Sequence, residues 1–265
     1  MDKRLDFVLV EKKLAKSRER AKEMIKNEYV KVNGFTAAKP SQFISDESQI
    51  TICGESLRYV GRGGLKLEKA LDVFNIDLRE KICADIGAST GGFTDCMLQN
   101  GAKMVYAVDV GHDQLDEKLI NDNRVVNIEK TNIRDVNNDL FSEEIKFISI
   151  DVSFISLKLV LPKVKEILSE SGEFVALIKP QFEAGKKDVG KNGIVKSNKI
   201  HIGVLAEICS FTNSFFAVKA VDFSPISGGD GNVEYLLYAT AKGISKEIDI
   251  KAIVKNAFDS LKGGN

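Results

Sequence analysis

Four short motifs set charged residues where chemistry would use them. GRGGLKLEKAL puts Lys66 at the start of a helix whose Leu67, Ala70, Leu71 and Phe74 face a core. DVSFISL puts Asp151 at the end of one strand, LIKPQFE puts Lys179 at the end of the next, and GNVEYLLY puts Glu234 at the start of the last. In an open α/β sheet the carboxyl ends of parallel strands border the ligand crevice, and an antiparallel strand contributes from its beginning. Asp151, Lys179 and Glu234, far apart in sequence, are therefore expected to converge. Singly, Asp151 fits a helix cap and Glu234 a solvated strand residue equally well; the ordered combination at strand ends carries the reading.

A second constellation is DIGASTGGF. A glycine-rich turn between a first strand and its helix lets a cofactor approach the backbone. Gly87, Gly91 and Gly92 lack the GxGxxG spacing of a dinucleotide fingerprint, and Asp85 precedes them, which argues against NAD. Asp109 closes the next strand in YAVDVG, where an acidic residue binds ribose hydroxyls.

The elements that must hold these residues alternate. Strands KICADIGA, MVYAVDV, RVVNIE, KFISIDV and EFVALIK are separated by helices TGGFTDCMLQN, LDEKLIND and SLKLVLPKVKEILSES. Runs this continuously apolar suit parallel strands covered on both faces. Helix HIGVLAEICSFT, strand FFAVKAVDF, the loop SPISGGDGN and strand VEYLLYATA follow, the last two strands hairpin-like and hence antiparallel. A final amphipathic helix buries Ile253, Val254, Ala257, Phe258 and Leu261.

The chain of 265 residues is 43% apolar and 29% charged, with four prolines, a balance that excludes disorder and leaves room for one large and one small domain. No run approaches the roughly 20 apolar residues of a membrane helix, and the amino terminus has no signal-peptide pattern, so a cytoplasmic location is expected. Cys53, Cys83, Cys96 and Cys209 are far apart and read as reduced thiols; His112 and His201 read as surface or loop histidines, and no metal is expected. The net charge of zero hides an asymmetry. Residues 1–40 carry eleven Lys/Arg against six Asp/Glu, a basic module ahead of a slightly acidic body.

That module reads as a short helix over Leu5, Val8 and Leu9, then a helix from Arg18 to Lys26 capped by Ser17, with Ala21, Met24 and Ile25 inward. Strand YVKVNG closes in the turn Asn33-Gly34, and SQITI forms a second strand, giving two helices on a small sheet. With its RLD start, SRxxA helix and VxVNG strand, the stretch over residues 3 to 55 resembles the S4 RNA-binding domain. The resemblance implies RNA contacts by Arg4, Arg18, Arg20, Lys22 and Lys31, since phosphate neutralisation supplies most sequence-independent affinity. The family usually has glycine before the VxVNG strand; here Glu28 follows Asn27, which is expected to make the left-handed turn.

Asp85, the glycine loop and Asp109 together resemble the S-adenosylmethionine-dependent methyltransferase pattern, whose cofactor is a phosphate-free cation that suits acidic company. Lys66, Asp151, Lys179 and Glu234 resemble the Lys-Asp-Lys-Glu tetrad of FtsJ-like ribose 2′-O-methyltransferases. With the S4-like segment in front, nearly the whole chain is similar to the TlyA family. The resemblance implies a Rossmann-like class I methyltransferase domain, a mostly parallel seven-stranded α/β sheet with an antiparallel last strand, behind a small α+β S4 domain. The expected bounds are 1–58 for the S4-like domain, 59–64 for a linker and 65–265 for the methyltransferase. It further implies methyl transfer from S-adenosylmethionine to a cytidine 2′-hydroxyl of ribosomal RNA, with ribosomal subunits as partners and a monomeric enzyme.

In that setting a ribose hydroxyl needs a base, and a lysine lowered by burial and a neighbouring cation can serve. Lys179 is the expected base and Lys66 its cationic neighbour, with Asp151 and Glu234 orienting the two. The cofactor set comprises Asp85, Gly87, Ala88, Ser89, Gly91, Gly92, Phe93, Asp109, Asn132 and Asp151. Asn132 faces the adenine or merely forms a turn; Arg62 holds a phosphate or helps join the domains; Phe93 and Phe182 read as core or pocket wall. Three rivals compete. A haemolysin needs a membrane-inserting element that the chain does not offer, a non-catalytic ribosome-binding protein would not need all four tetrad positions, and a pseudouridine synthase needs no glycine-rich cofactor loop.

Overall fold

A computed structural model describes residues 2–15, 17–26, 29–52, 58–229 and 231–262. The chain divides into two compact units, residues 1–58 and 59–265.

In the first unit the pattern of Leu5, Val8 and Leu9 makes helix α1 (Leu5–Glu11) after the short strand β1 (Lys3–Arg4), and Ala21 and Ile25 are the inward face of α2 (Arg18–Lys26). Strands β2 (Val30–Val32) and β3 (Phe35–Thr36) are joined by Asn33-Gly34. Strand β4 (Phe43–Ile44) pairs with β1, and β5 (Ile50–Ile52) pairs with β2. The expected single sheet is in fact two, β3-β2-β5 and β1-β4, all antiparallel. The amino-terminal residues Lys3 and Arg4 are extended because they pair with Ile44 and Phe43. The core is Leu5, Val8, Leu9, Ala21, Ile25, Val30, Val32 and Ile44. Asn27, Glu28 and Cys53 lie outside the described residues.

One buried charge sits in this core. Asp6 is 0% exposed. Arg4 donates to both its oxygens at 3.0 and 2.9 Å, and Arg18 donates to Oδ2 at 3.1 Å. The Arg4 guanidinium foremost holds the Asp6 carboxyl down to about 2.

The second unit is a seven-stranded sheet in the order β11-β12-β10-β9-β6-β7-β8. It opens with helix α3 (Gly63–Phe74), and the central strand β6 (Ile82–Ile86) leads into α4 (Gly92–Gln99). Strand β7 (Met104–Val108), the short α5 (Glu117–Ile120) and β8 (Val125–Ile128) build outward on one side. On the other side come β9 (Ile145–Ile150), α6 (Leu157–Ile167), β10 (Leu168–Ile178) and the one-turn α7 (Pro180–Glu183), then α8 (Asn198–Thr212), β11 (Ala217–Phe223), β12 (Tyr235–Thr240) and α9 (Ile250–Lys262). All neighbours pair parallel except β12, which is antiparallel to both β10 and β11. Five buried residues in β6 match a strand with a helical layer on each face.

Three expectations change here. The helix expected through Ser171 ends at Ile167, because Leu168 pairs with Ile145 and its side chain is needed in the core; a register shift then separates it from Glu173. His201, expected on the surface, is 0% exposed in α8, hydrogen-bonded to the Tyr235 hydroxyl at 2.8 Å and the Val195 carbonyl at 3.0 Å. Residues 59–64, expected as a linker, pack into the second unit. Tyr59 is buried in its core, and the Val60 N–H donates to Asp95 Oδ2 at 2.9 Å, so an aromatic anchor and a buried acceptor fix the segment. Cys83, Cys96 and Cys209 are buried thiols.

A carboxylate whose folded pKa lies below its unfolded value adds stability at every pH above the unfolded value and loses that contribution as pH falls through the folded one. Asp6→Asn should therefore unfold at lower temperature than the parent at pH 7, with the gap closing between about pH 4 and pH 2. Thermal unfolding of both proteins across that range checks this; a gap that does not depend on pH counts against the ion pairs as its source.

Candidate active site

The sheet order places β6 between β7 and β9, so the loop after β6 lies where the connections diverge to opposite sides, the position at which open α/β sheets bind ligands. Two glycines decide how close the pieces come. Gly87 has φ +85°, and a Cβ there would lie 2.4 Å from the Asp151 carbonyl oxygen, so only glycine lets the residue after β9 sit against the loop. The Asp151 N–H donates to the Ile86 carbonyl at 2.9 Å and continues the β6–β9 register into the site. At Gly92 a Cβ would meet the Gly64 nitrogen at 3.0 Å and the Gly61 oxygen at 3.1 Å. The bare backbone there lets the start of α3, with Lys66, lie against the start of α4.

The structure brings Lys66, Asp151, Lys179 and Glu234 together. Lys66 Nζ donates to Glu234 Oε2 at 2.6 Å and lies 3.8 Å from Asp151 Oδ2. Lys179 Nζ lies 2.6 Å from Asp151 Oδ1 and donates to Ser153 Oγ at 2.9 Å. Asp151 thus stands between two ammonium groups, and all but Asp151 are nearly buried. Burial pulls Lys66 down, but the charges of Asp151 and Glu234 outweigh it and leave its pKa above the usual lysine value. Burial likewise works to raise Asp151, and the charges of Lys66 and Lys179 outweigh it, leaving the carboxyl below its usual value. Arg62 adds positive potential at both residues, and its guanidinium reaches toward Gly229.

The expected cofactor residues divide. Asp109 stands at the mouth of β7, its carboxylate accepting the Ser89 N–H at 2.8 Å and the Gly111 N–H at 2.7 Å, and so ties the glycine loop to the next strand end. Ser89 and Thr90 are exposed at the loop tip, while Ala88 is buried beside it. Asp85 faces inward: 0% exposed, it accepts from Thr94 Oγ1 at 2.7 Å and Ser149 Oγ at 2.9 Å, fastening β6 to α4 and β9. Burial pushes its carboxyl up to about 7. Phe93 lies in the core. Asn132 accepts from the Arg134 N–H at 3.0 Å and begins a 3-10 turn over Ile133–Asp135. Phe182 is half-buried, its ring 5.0 Å from that of Phe154, which is 90% exposed at φ +63°. In the first unit Arg4 and Arg18 keep exposed guanidinium edges beside Asp6. Lys22 and Lys31 are half-buried, and the Arg20 side chain lies outside the described residues.

Sequence reasoning missed Ser153 and Glu183. Glu183 accepts from Ser156 Oγ at 2.6 Å and the Leu157 N–H at 2.8 Å, which binds the segment after Lys179 to the segment after Asp151. Both residues sit inside quoted motifs, DVSFISL and LIKPQFE, but a single serine or glutamate has no spacing that marks it.

A mostly parallel sheet with one antiparallel strand beside the edge, and a glycine loop with an acidic residue at the next strand end, defines a Rossmann-like methyltransferase fold. The FtsJ-like methyltransferase family matches residues 59–241, and the S4 domain matches residues 3–50. The protein YqxC of Bacillus subtilis is 48% identical over 98% of this chain and 95% of its own length. The 16S/23S rRNA (cytidine-2'-O)-methyltransferase TlyA of Mycobacterium tuberculosis is 40% identical over 89% of this chain and 88% of its own. A solved structure from Streptococcus thermophilus that carries the hemolysin name is 47% identical, with a TM-score of 0.80 and coverage of 99% and 98%. The chain belongs to the TlyA family, an S4 domain followed by an FtsJ-like methyltransferase domain. No helix among the described residues is long and apolar enough to cross a membrane.

An acid whose folded pKa is raised costs the folded state stability as pH climbs from the unfolded value toward the folded one. Asp85→Asn should remove a decline in stability between about pH 4 and pH 7. Unfolding midpoints of the two proteins should diverge over that window and run parallel above it; parallel curves throughout would place the Asp85 titration elsewhere.

Proposed function

We propose that the protein transfers a methyl group from S-adenosylmethionine to a cytidine ribose 2′-hydroxyl of ribosomal RNA. The observation that carries this reading is the Lys66–Glu234 and Lys179–Asp151 cluster at the strand ends beside the glycine loop. Relatives over most of the chain are named for that reaction.

S-adenosylmethionine is the cofactor of this family, and it supplies an electrophilic methyl group on a cationic sulfur. The donor set fits it. The loop from Asp85 to Thr94 contains no lysine or arginine, and Asp109 and Asp151 border it, a surrounding that suits a cation with ribose hydroxyls and not a phosphate. Ser89, Gly91 and Asp109 would hold the nucleoside end.

Lys179 would take the 2′-hydroxyl proton so that the oxygen can accept the methyl group, which the cofactor would supply from its sulfonium, leaving the bonding pair on a neutral sulfur. The two lysines differ in their company. Lys66 has Glu234 to itself and a share of Asp151, which keeps it an ammonium; Lys179 has only its share of Asp151 and a neutral serine. That difference in company assigns Lys179 as the base and Lys66 as the group that holds the substrate oxygen in line. Arg4, Arg18, Arg20, Lys22 and Lys31 of the S4 domain bind the RNA backbone, and Arg62 stands beside the reacting ribose.

Methyl transfer from radiolabelled cofactor to purified large and small ribosomal subunits lacking the modification tests the reading. Lys179→Ala should lower turnover by about 10² to 10⁴ and leave cofactor affinity nearly unchanged. Near-normal turnover by Lys179→Ala removes it as the base, and absence of labelling by the parent protein, despite cofactor binding, removes the reaction.

A further inference from the structure

From the end of α7 into the first turn of α8 the chain runs through GKKDVGKNGIVKSNK, residues 185–199, with Lys186, Lys187, Lys191, Lys196 and Lys199 against a single acid, Asp188. All five lysines are exposed. Several other exposed or half-exposed lysines of this unit are held by carboxylates, Lys103 by Glu143, Lys118 by Asp95, Lys242 by Glu170 and Lys255 by Asp259. Among the described residues none of the five loop lysines makes an ion pair, so their charge is uncompensated.

The loop is nevertheless fixed. Asn232, itself 0% exposed, accepts the Val195 N–H at 3.0 Å and donates to the Gly193 carbonyl at 2.9 Å. The Val195 carbonyl, which can only accept, bonds His201 Nε2 at 3.0 Å, so Nε2 carries the proton and Nδ1 accepts from the Tyr235 hydroxyl at 2.8 Å. Asn232 and Tyr235 flank Glu234, and the loop begins just past the turn that Lys179 opens. The segment that carries the unpaired lysines is thus fastened to the residues next to Glu234 and follows the turn that Lys179 opens.

We propose that this loop is a phosphate-docking rim for RNA, placing the backbone on either side of the target ribose so that the methyltransferase domain contributes its own share of substrate affinity. The inference rests on the proposed reaction for its substrate. Its chemistry selects a polyanion without regard to base, because lysine ammoniums are point charges that read phosphate and not base edges.

The test uses the full chain with Lys186, Lys187, Lys191, Lys196 and Lys199 each changed to Gln, and a companion with each changed to Arg. Binding to naked ribosomal RNA and to ribosomal subunits is measured across salt concentrations, alongside methylation kinetics. The Gln protein should bind both RNA forms about tenfold or more weakly. Its plot of log affinity against log salt should flatten by about one for each lysine that meets a phosphate. KM for RNA should rise, while kcat at saturation and cofactor affinity stay within about twofold; the Arg protein should behave as the parent. Unchanged affinity and slope would overturn the rim. A loss seen with subunits but not with naked RNA would assign it to a ribosomal protein, which also overturns it. If the parent binds RNA through the loop without methylating it, the rim stands and the proposed reaction falls.

Discussion

Everything in the second unit is arranged around one shared carboxylate. Asp151 must face two ammonium groups while its own backbone lies against the glycine loop. At an effective dielectric of about 20, opposite charges 4 Å apart attract by about 4 kcal/mol, while removing each ion from water costs several. Two carboxylates against two lysines and an arginine therefore leave no large surplus. The cluster exists because the fold supplies the remainder: three strand ends and the first turn of a helix, all rigidly packed. The directions of the shifts agree, with Lys66 held charged and Asp151 held ionised despite burial.

The two units treat buried acids in opposite ways. Asp6 is flanked by two arginines and driven toward full ionisation, whereas Asp85 meets neutral donors from Thr94 and Ser149 and is pushed by burial toward its neutral form. Asp6 shapes how two guanidinium groups are presented at a surface. Asp85 joins three elements under the glycine loop, so its influence on a cofactor passes through the position of the loop.

Much of this was legible in the sequence, for identifiable reasons. Strands bounded by polar residues announce their ends, which places Asp151, Lys179 and Glu234 at one edge of a sheet, whereas Lys66, on a helix, joined them only through the resemblance to the tetrad. Direction of a side chain was not legible. Asp85 and Asp109 both stand at strand ends, yet one points into the core and the other toward the loop tip, because β6 is covered on both faces while the residue after β7 is not. His201 was misread because HIGVLAEICSFT has few polar residues and its buried face is set by a partner thirty-four positions away. The tail LSES was misread because helix propensity carries past Ile167 until pairing with β9 overrides it.

The glycines explain why cofactor loop and reacting cluster belong to a single device. Gly87 admits the Asp151 backbone, and Gly92 admits the turn from Gly61 to Gly64 that aims Lys66. A side chain at either position would force apart the carboxylate or the lysine from the loop by more than a hydrogen bond can span. The position of the loop and the alignment of the two lysines are thereby linked through closely approaching backbone. Such contacts are stiff, since packed interiors transmit displacement and do not absorb it. A displacement of the loop is therefore passed to the backbone that carries Asp151, and so to both ammonium groups that share it.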